Sequence, residues 1–381
     1  MPSVVHMESL QSAAVALLGE LVGIDSVNPG LVPGAAGESG IADALRARLE
    51  LSGFDVTVVN GGPAGDRTSI VAVPRGRRVG RTVVLNGHLD TVGVAGMADP
   101  FVPRIDGDRL YGRGAADMKG GIAALVVAAE HLVAVDSPIC PVLALVADEE
   151  DASLGSEAVI AALAELDLVP DVCLIAEPTD LALSRSLRGF GLVEVTFTGR
   201  AAHSSQAELG VNAIRYLGRL LAAVDVRAPH VRSTGGDLTV TVVGGGSSPF
   251  VIPDSAHCIV EMRTPPDLPG AAALHEVRAL LRPRWQAQSR LLAARDGWRL
   301  QTTGPAADLA ARLGAVLGTG PTFDAPYWME APLWESVCPT LVCGPQGGGM
   351  HSVDEWVDLR QVRAFTSALV EVLTDWVFDA D

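Results

Sequence analysis

The chain has 381 residues, of which 48% are apolar and 19% charged, and its formal net charge is −17. That length exceeds what a single hydrophobic core usually supports, so two domains are expected. An acidic chain without a Lys/Arg block is poorly suited to nucleic acid or an anionic membrane surface, since both attract positive charge.

The N-terminal segment reads as an amphipathic helix from about Glu8 to Val22. It lacks the basic flank and unbroken apolar centre of a secretion signal. No run of about 20 apolar residues follows, so no spanning helix is expected and the protein is placed in the cytoplasm. The five cysteines, Cys140, Cys173, Cys258, Cys338 and Cys343, are odd in number and form no CxxC pair. Neither a disulfide framework nor a thiolate zinc site is indicated.

Short β-branched runs at 69–73, 82–86, 141–147 and 172–176 predict buried strands, with helices over Glu38–Leu51 and Lys119–Val135 between them. This alternation indicates an α/β domain around a mostly parallel sheet. From about Leu187 the texture changes. Strands at 192–199, 237–244, 257–263 and 298–302 alternate with helices near Val211–Val224 and Gly270–Leu281, the β-α-β-β-α-β order of a ferredoxin-like α+β unit. We read this as an insertion spanning 187–302, with 1–186 and 303–381 forming one discontinuous domain. A helix over Pro305–Leu317, a strand at 340–344 and a helix near Glu355–Val372 complete the first domain.

Residues able to bind metal cluster just past the predicted strands. NGHLD (86–90), DEED (148–151) and AEPT (176–179) each follow a strand, and GMHS (349–352) follows a strand and a glycine-rich turn. In open α/β sheets, ligands bind beyond the carboxyl ends of the strands, so these clusters can converge. GRGAADMKGG (112–121) places Asp117 near a helix start. Imidazole and carboxylate suit zinc, a carboxylate can bridge two ions, and two such ions can acidify a shared water and polarise a carbonyl. Each residue also has a plainer reading. His88 and Asp90 could cap a strand, Glu149 and Glu150 could be solvated, Asp117 could be an N-cap, and His351 an ordinary loop residue. Glu177, directly after an apolar strand, needs a partner in any reading.

The ordered series GHLDTV (87–92), GRGAADMKGG (112–121), ADEE (147–150), AEPT (176–179), GRAAHSS (199–205), VIPD (251–254) and HSVDEWV (351–357) resembles a known family. This is the zinc-dependent peptidase/deacylase family of acetylornithine deacetylase, succinyl-diaminopimelate desuccinylase, aminoacylase and glutamate carboxypeptidase. The long loop 90–121 is most similar to the acetylornithine deacetylase-like branch. The resemblance implies two divalent ions, zinc first and cobalt or manganese as alternatives. His88 and Glu177 would hold one ion, Glu150 and His351 the other, and Asp117 would bridge them. Asp90 would accept the second ring N–H of His88, and Glu149 would be the general base. The Asp117–Met118 peptide is expected to be cis.

The same resemblance makes the 187–302 insertion a lid and dimerisation domain, so a homodimer is expected. His203 would stabilise the oxyanion, supplied by the partner subunit, and Arg263 would bind the substrate carboxylate. One position departs from the pattern: Phe250 stands before VIP where relatives often carry Asn. His6, His131, His230, His257 and His275 match no motif and read as structural or surface residues. Tyr327, Trp328 and Trp334 lie where relatives line the acyl pocket, and also fit ordinary packing. The expected reaction is hydrolysis of the amide bond of a small-molecule N-acyl amino acid. Dipeptide or C-terminal peptide cleavage by the same metals is the alternative.

Overall fold

The computed structural model describes residues 3–76 and 80–376. The chain divides into two compact units. One comprises the residues up to Arg185, Leu300–Phe323 and those from Met329 on; the other comprises Ser186–Arg299 and Asp324–Trp328.

The first unit is built on a six-stranded sheet ordered Phe54–Gly61, Arg67–Pro74, Ile139–Val146, Arg81–His88, Val172–Ile175 and Thr340–Val342. The first two pairings are antiparallel and the other three parallel. Ile139–Val146 and Val172–Ile175 are buried at every position, which is why they read as continuous apolar runs. The helices Val4–Val22, Gly120–Ala134 and Leu359–Thr374 pack on one another and supply much of the core. The helix predicted from Glu355 instead starts at Leu359. Trp356–Asp358 is a short strand, and the Asp358 carboxylate caps the helix by accepting the Arg360 N–H at 2.8 Å.

The second unit carries a four-stranded antiparallel sheet ordered Asp237–Gly245, Ser255–Thr264, Gly189–Thr198 and Ala287–Arg295. With the helices Ala213–Ser233 and Ala272–Leu280 it forms the β-α-β-β-α-β unit. Its last strand is not the 298–302 segment. Only Trp298–Arg299 is extended there, pairing with Leu187 and Ser186. The true strand, AQSRLLAAR, lies at the sheet edge and is rich in Ala, Leu and Arg, residues that favour helix, so it has no strand signature. The helix predicted to end at Val224 continues to Ser233, with Pro229 inside it. Asn212 caps it through an Arg215 N–H donated at 3.1 Å.

Candidate metal centre

Three adjacent parallel strands set the site. Register places His88 opposite Val146 and Asn86 opposite Ile175. His88 ends its strand, Glu149 and Glu150 follow Val146, and Glu177 follows Ile175, so all four emerge from the same edge of the sheet. Asp117 comes from the turn before the Gly120–Ala134 helix. It is not that helix's N-cap, since Lys119 holds that position. The Asp117–Met118 peptide is cis. The helix start approaches Ala176 so closely that a Cβ on Gly121 would lie 2.3 Å from the Ala176 carbonyl oxygen. His351 arrives on the loop after Gly347–Gly348, with the left-handed φ of 61° that is uncommon outside glycine.

These side chains form two groups of three around Asp117. His88, Asp117 and Glu177 make one, and Asp117, Glu150 and His351 the other, with the candidate ligand atoms of each group within 4.8 Å of one another. His88 Nε2 lies 3.0 Å from Asp117 Oδ1 and 3.9 Å from Glu177 Oε1. His351 Nε2 lies 3.2 Å from Asp117 Oδ2 and 3.1 Å from Glu150 Oε2. The two Asp117 oxygens therefore face different groups, as a bridging carboxylate requires.

The electrostatics fit cations. Burial pushes Glu177 up to about 8. Burial and the Glu177 charge push Glu149 well above the carboxylate range, and burial with Asp117 raises Glu150. Burial opposes ionisation of Asp117 too, but His351 and His88 outweigh it and hold its pKa down. His351 is raised to about 10 by Asp117 and Glu150. His88 is raised as well: burial disfavours its charge, but Asp117, Glu177 and Glu149 overcome that. Crowded, dehydrated carboxylates leave the imidazolium protons as the nearby countercharge. Divalent cations would replace those protons and relieve the repulsion.

A second layer of contacts holds these side chains in place. The His88 Nδ1 lies 3.0 Å from the Asp90 main-chain carbonyl and 3.7 Å from its carboxylate Oδ1. The main-chain carbonyl of Asp90 is thus the closer partner of the ring. The Asp90 carboxylate accepts the N–H groups of Glu149 and Glu150, each at 3.1 Å. Glu355 accepts from Gly114, Ala116 and Asp117 N–H at 3.1, 3.0 and 3.2 Å, and pairs with buried Arg113. It fixes the turn that presents Asp117, a role masked in the sequence by its place within HSVDEWV. Glu330 is another buried carboxylate; its Oε2 accepts the Ser156 hydroxyl at 2.7 Å, and Ser156 accepts the Trp334 indole N–H at 3.1 Å. Trp334 is fully buried and serves as packing. Asn28 and Arg67 also belong to this layer, and no metal-binding signal surrounds either in the sequence.

His203, Arg263 and Phe250 belong to the second unit. His203 Nδ1 accepts the Ser205 N–H at 3.2 Å and lies 2.8 Å from the Ser205 hydroxyl, so the ring proton belongs on Nε2. His203 bridges to Val251, and Ser204 N–H donates to the Phe250 carbonyl at 2.9 Å, which puts the departing residue beside this histidine. The Phe250 side chain is 68% exposed. Arg263 Nε lies 2.6 Å from Glu261, and its guanidinium stands 5.4 Å from the Phe190 ring centroid. Trp328 packs edge-on to Phe190 and donates to the Asp296 carbonyl at 3.1 Å, both contacts within the second unit.

Residues 84–375 match peptidase family M20/M25/M40. The chain belongs to this family. A succinyl-diaminopimelate desuccinylase of Methylibium petroleiphilum is 30% identical over 385 residues, covering 94% of this chain and 96% of that protein. One of Cereibacter sphaeroides is 31% identical over 385 residues, covering 95% and 98%. A tripeptidase from Staphylococcus aureus has a similar fold, with a TM-score of 0.79 at 16% identity over 96% of this chain and 98% of that one. A dinuclear metal-binding M20 peptidase from Bacillus subtilis gives 0.71 at 16% identity over 96% and 99%. This M20 chain is accordingly a hydrolase acting on an amide bond. No helix among its described residues is long and apolar enough to cross a membrane.

Proposed function

We propose that the chain is a two-metal deacylase that hydrolyses an N-acyl amino acid to a carboxylate and an amine. The observation that carries this reading is the pair of three-residue groups sharing Asp117. The near full-length likeness to desuccinylases supports an acyl amino acid as the substrate class. His88, Asp117 and Glu177 would hold one ion and Asp117, Glu150 and His351 the other. Zinc is the first candidate for such ligands, with cobalt and manganese compatible. When bound, the pair would acidify water and polarise the scissile carbonyl.

The chain's own groups do the rest. Glu149 lies just past strand Ile139–Val146, beside Glu150, but belongs to neither group of three, so its carboxylate is left to take a proton from water and return it to the leaving nitrogen. The Nε2–H of His203 is a suitable donor to a developing oxyanion. Arg263, oriented through Nε by Glu261, would offer its terminal nitrogens to the substrate carboxylate.

We also propose that the chain forms a homodimer through its second unit. Asp237–Gly245 is an edge strand of the sheet there and exposes Val242 and Val243 at 45% and 57%. An apolar edge of that kind invites pairing with a second copy. Five buried, unbridged cysteines suit a reducing cytoplasm.

The test is a hydrolysis panel of N-succinyl, N-acetyl, N-formyl and N-aromatic-acyl amino acids beside dipeptides, run after chelation and again after metal is restored. Metal-dependent turnover of an N-acyl amino acid, faster than that of any dipeptide, is expected. Preference for a free amino terminus would replace the deacylase reading with a dipeptidase.

A further inference from the structure

We infer that Asn28 is a positioning residue for the metal loop, its amide bridging two buried carboxylates so that Glu149 and Glu150 are held in place. The inference rests on the proposed roles of Glu149 as base and Glu150 as ligand.

The local chain fixes Asn28 first. Its N–H donates to the Thr91 carbonyl at 2.9 Å, and the Thr91 N–H donates to Ser26 at 3.0 Å, so Ser26–Asn28 runs alongside the backbone just after Asp90. Pro29 keeps Asn28 itself out of the helical region, and the Asn28 side-chain oxygen accepts the Gly30 N–H at 2.7 Å in an Asx turn. That bond settles which way the amide faces. With Oδ1 taken by Gly30, the NH2 group must point to the other side.

There it meets two carboxylates. Nδ2 donates to Asp90 Oδ2 at 2.7 Å and to Asp148 Oδ1 at 3.1 Å. Asn28 and Asp90 are both 0% exposed and Asp148 is 1% exposed. Two dehydrated carboxylates this close repel strongly unless donors stand between them. Asn28 supplies both of its amide protons to that task, and Arg67 adds a guanidinium 2.9 Å from Asp148 Oδ1 while pairing with Glu38 behind it. The consequence reaches the metal loop directly. Asp90 accepts the Glu149 and Glu150 N–H groups, and Asp148 precedes them in the chain with a left-handed φ of 68°. Asn28 therefore ties together the residue that receives this loop and the residue that starts it.

Charge and shape make opposite predictions at this position. Asparagine and aspartate have nearly the same shape, so packing alone predicts that Asn28→Asp is milder than Asn28→Ala, which leaves a cavity. The bridging role predicts the reverse, because aspartate removes both donors and faces two carboxylates with a third. The experiment strips metal from the full-length chain and titrates it with Zn2+ by calorimetry, with kcat and KM measured on the reloaded protein. Wild type should take up two ions. Asn28→Ala should weaken the weaker-bound ion about 10–100-fold, the usual cost of losing an outer-shell partner. It should lower kcat with KM changed less than about twofold, and Asn28→Asp should be worse in both respects. Asn28→Asp combined with Asp148→Asn restores the number of carboxylates and should recover binding relative to Asn28→Asp; this pair decides the matter if the single variant does not fold. Asn28→Asp binding both ions as tightly as wild type, or a swapped pair no better than the single change, overturns the inference alone. Wild type taking up fewer than two ions overturns both the inference and the two-metal reading.

Discussion

Glu149 and Glu150 are chain neighbours with both main-chain N–H groups tied to Asp90, yet only Glu150 belongs to a group of three with metal-binding chemistry. Replacing Glu149 with alanine should cut kcat by about 10²–10⁴-fold, the usual contribution of a general base, while both ions are retained. Metal analysis beside turnover checks this, and a variant with near wild-type kcat would remove the base assignment. Glu355 predicts a different loss. Its carboxylate neutralises Arg113, and both side chains are under 4% exposed. Glu355→Ala would strand a buried cation and release the turn bearing Asp117. A destabilisation of about 3–5 kcal/mol is expected from denaturant unfolding; a loss under about 1 kcal/mol would mean the guanidinium finds another partner.

At the scale of elements, the helices Val4–Val22 and Gly120–Ala134 meet through two imidazoles, His6 Nε2 lying 3.2 Å from His131 Nδ1. Burial, and then the neighbouring His6, lower the pKa of His131. A depressed folded-state value means the neutral ring is the one the fold accommodates. Its contribution is therefore present above the unfolded value near 6.5 and is lost as pH falls through the lower folded value. Unfolding followed between pH 7.5 and 5.5 should show a steeper decline for wild type than for His131→Gln, and parallel curves would contradict this. On the second unit's sheet, Val243→Lys on the edge strand should shift a homodimer toward monomer in light scattering. An unchanged dimeric mass would place the interface elsewhere, and a monomeric wild type would remove the dimer proposal.

Legibility in the sequence tracked burial. Ile139–Val146 and Val172–Ile175 are covered throughout and read as unbroken apolar runs. Phe54–Gly61 is an edge strand with several exposed positions, and Leu154–Ala162 is a nine-residue helix behind a polar loop, so neither stood out. Ala287–Arg295 was hidden by residues that favour helix, its strand state imposed by pairing with Gly189–Thr198.

Across the whole molecule, the residues brought together at Asp117 lie between positions 88 and 351, and their order past the strand ends made the group recognisable before any fold was known. Their supports were not recognisable, because Asn28 and Arg67 act through tertiary contacts that no local pattern encodes. Substrate choice was the least legible, as Phe250 shows: a residue type at one exposed position reports a departure without saying what the exposed ring meets. Metal should also matter to the fold as a whole, since ions that bind only the native state stabilise it by mass action. Chelation should therefore lower the melting temperature, and restored Zn2+ should raise it again; identical melts would mean that no ion is bound under those conditions.

Anomalous diffraction from crystals grown with Zn2+ would show the proposed two-ion centre bridged by Asp117. Two peaks roughly 3.5–4 Å apart are expected. One should lie among His88, Asp117 and Glu177, the other among Asp117, Glu150 and His351. A single peak, or two peaks that do not share Asp117, would contradict it.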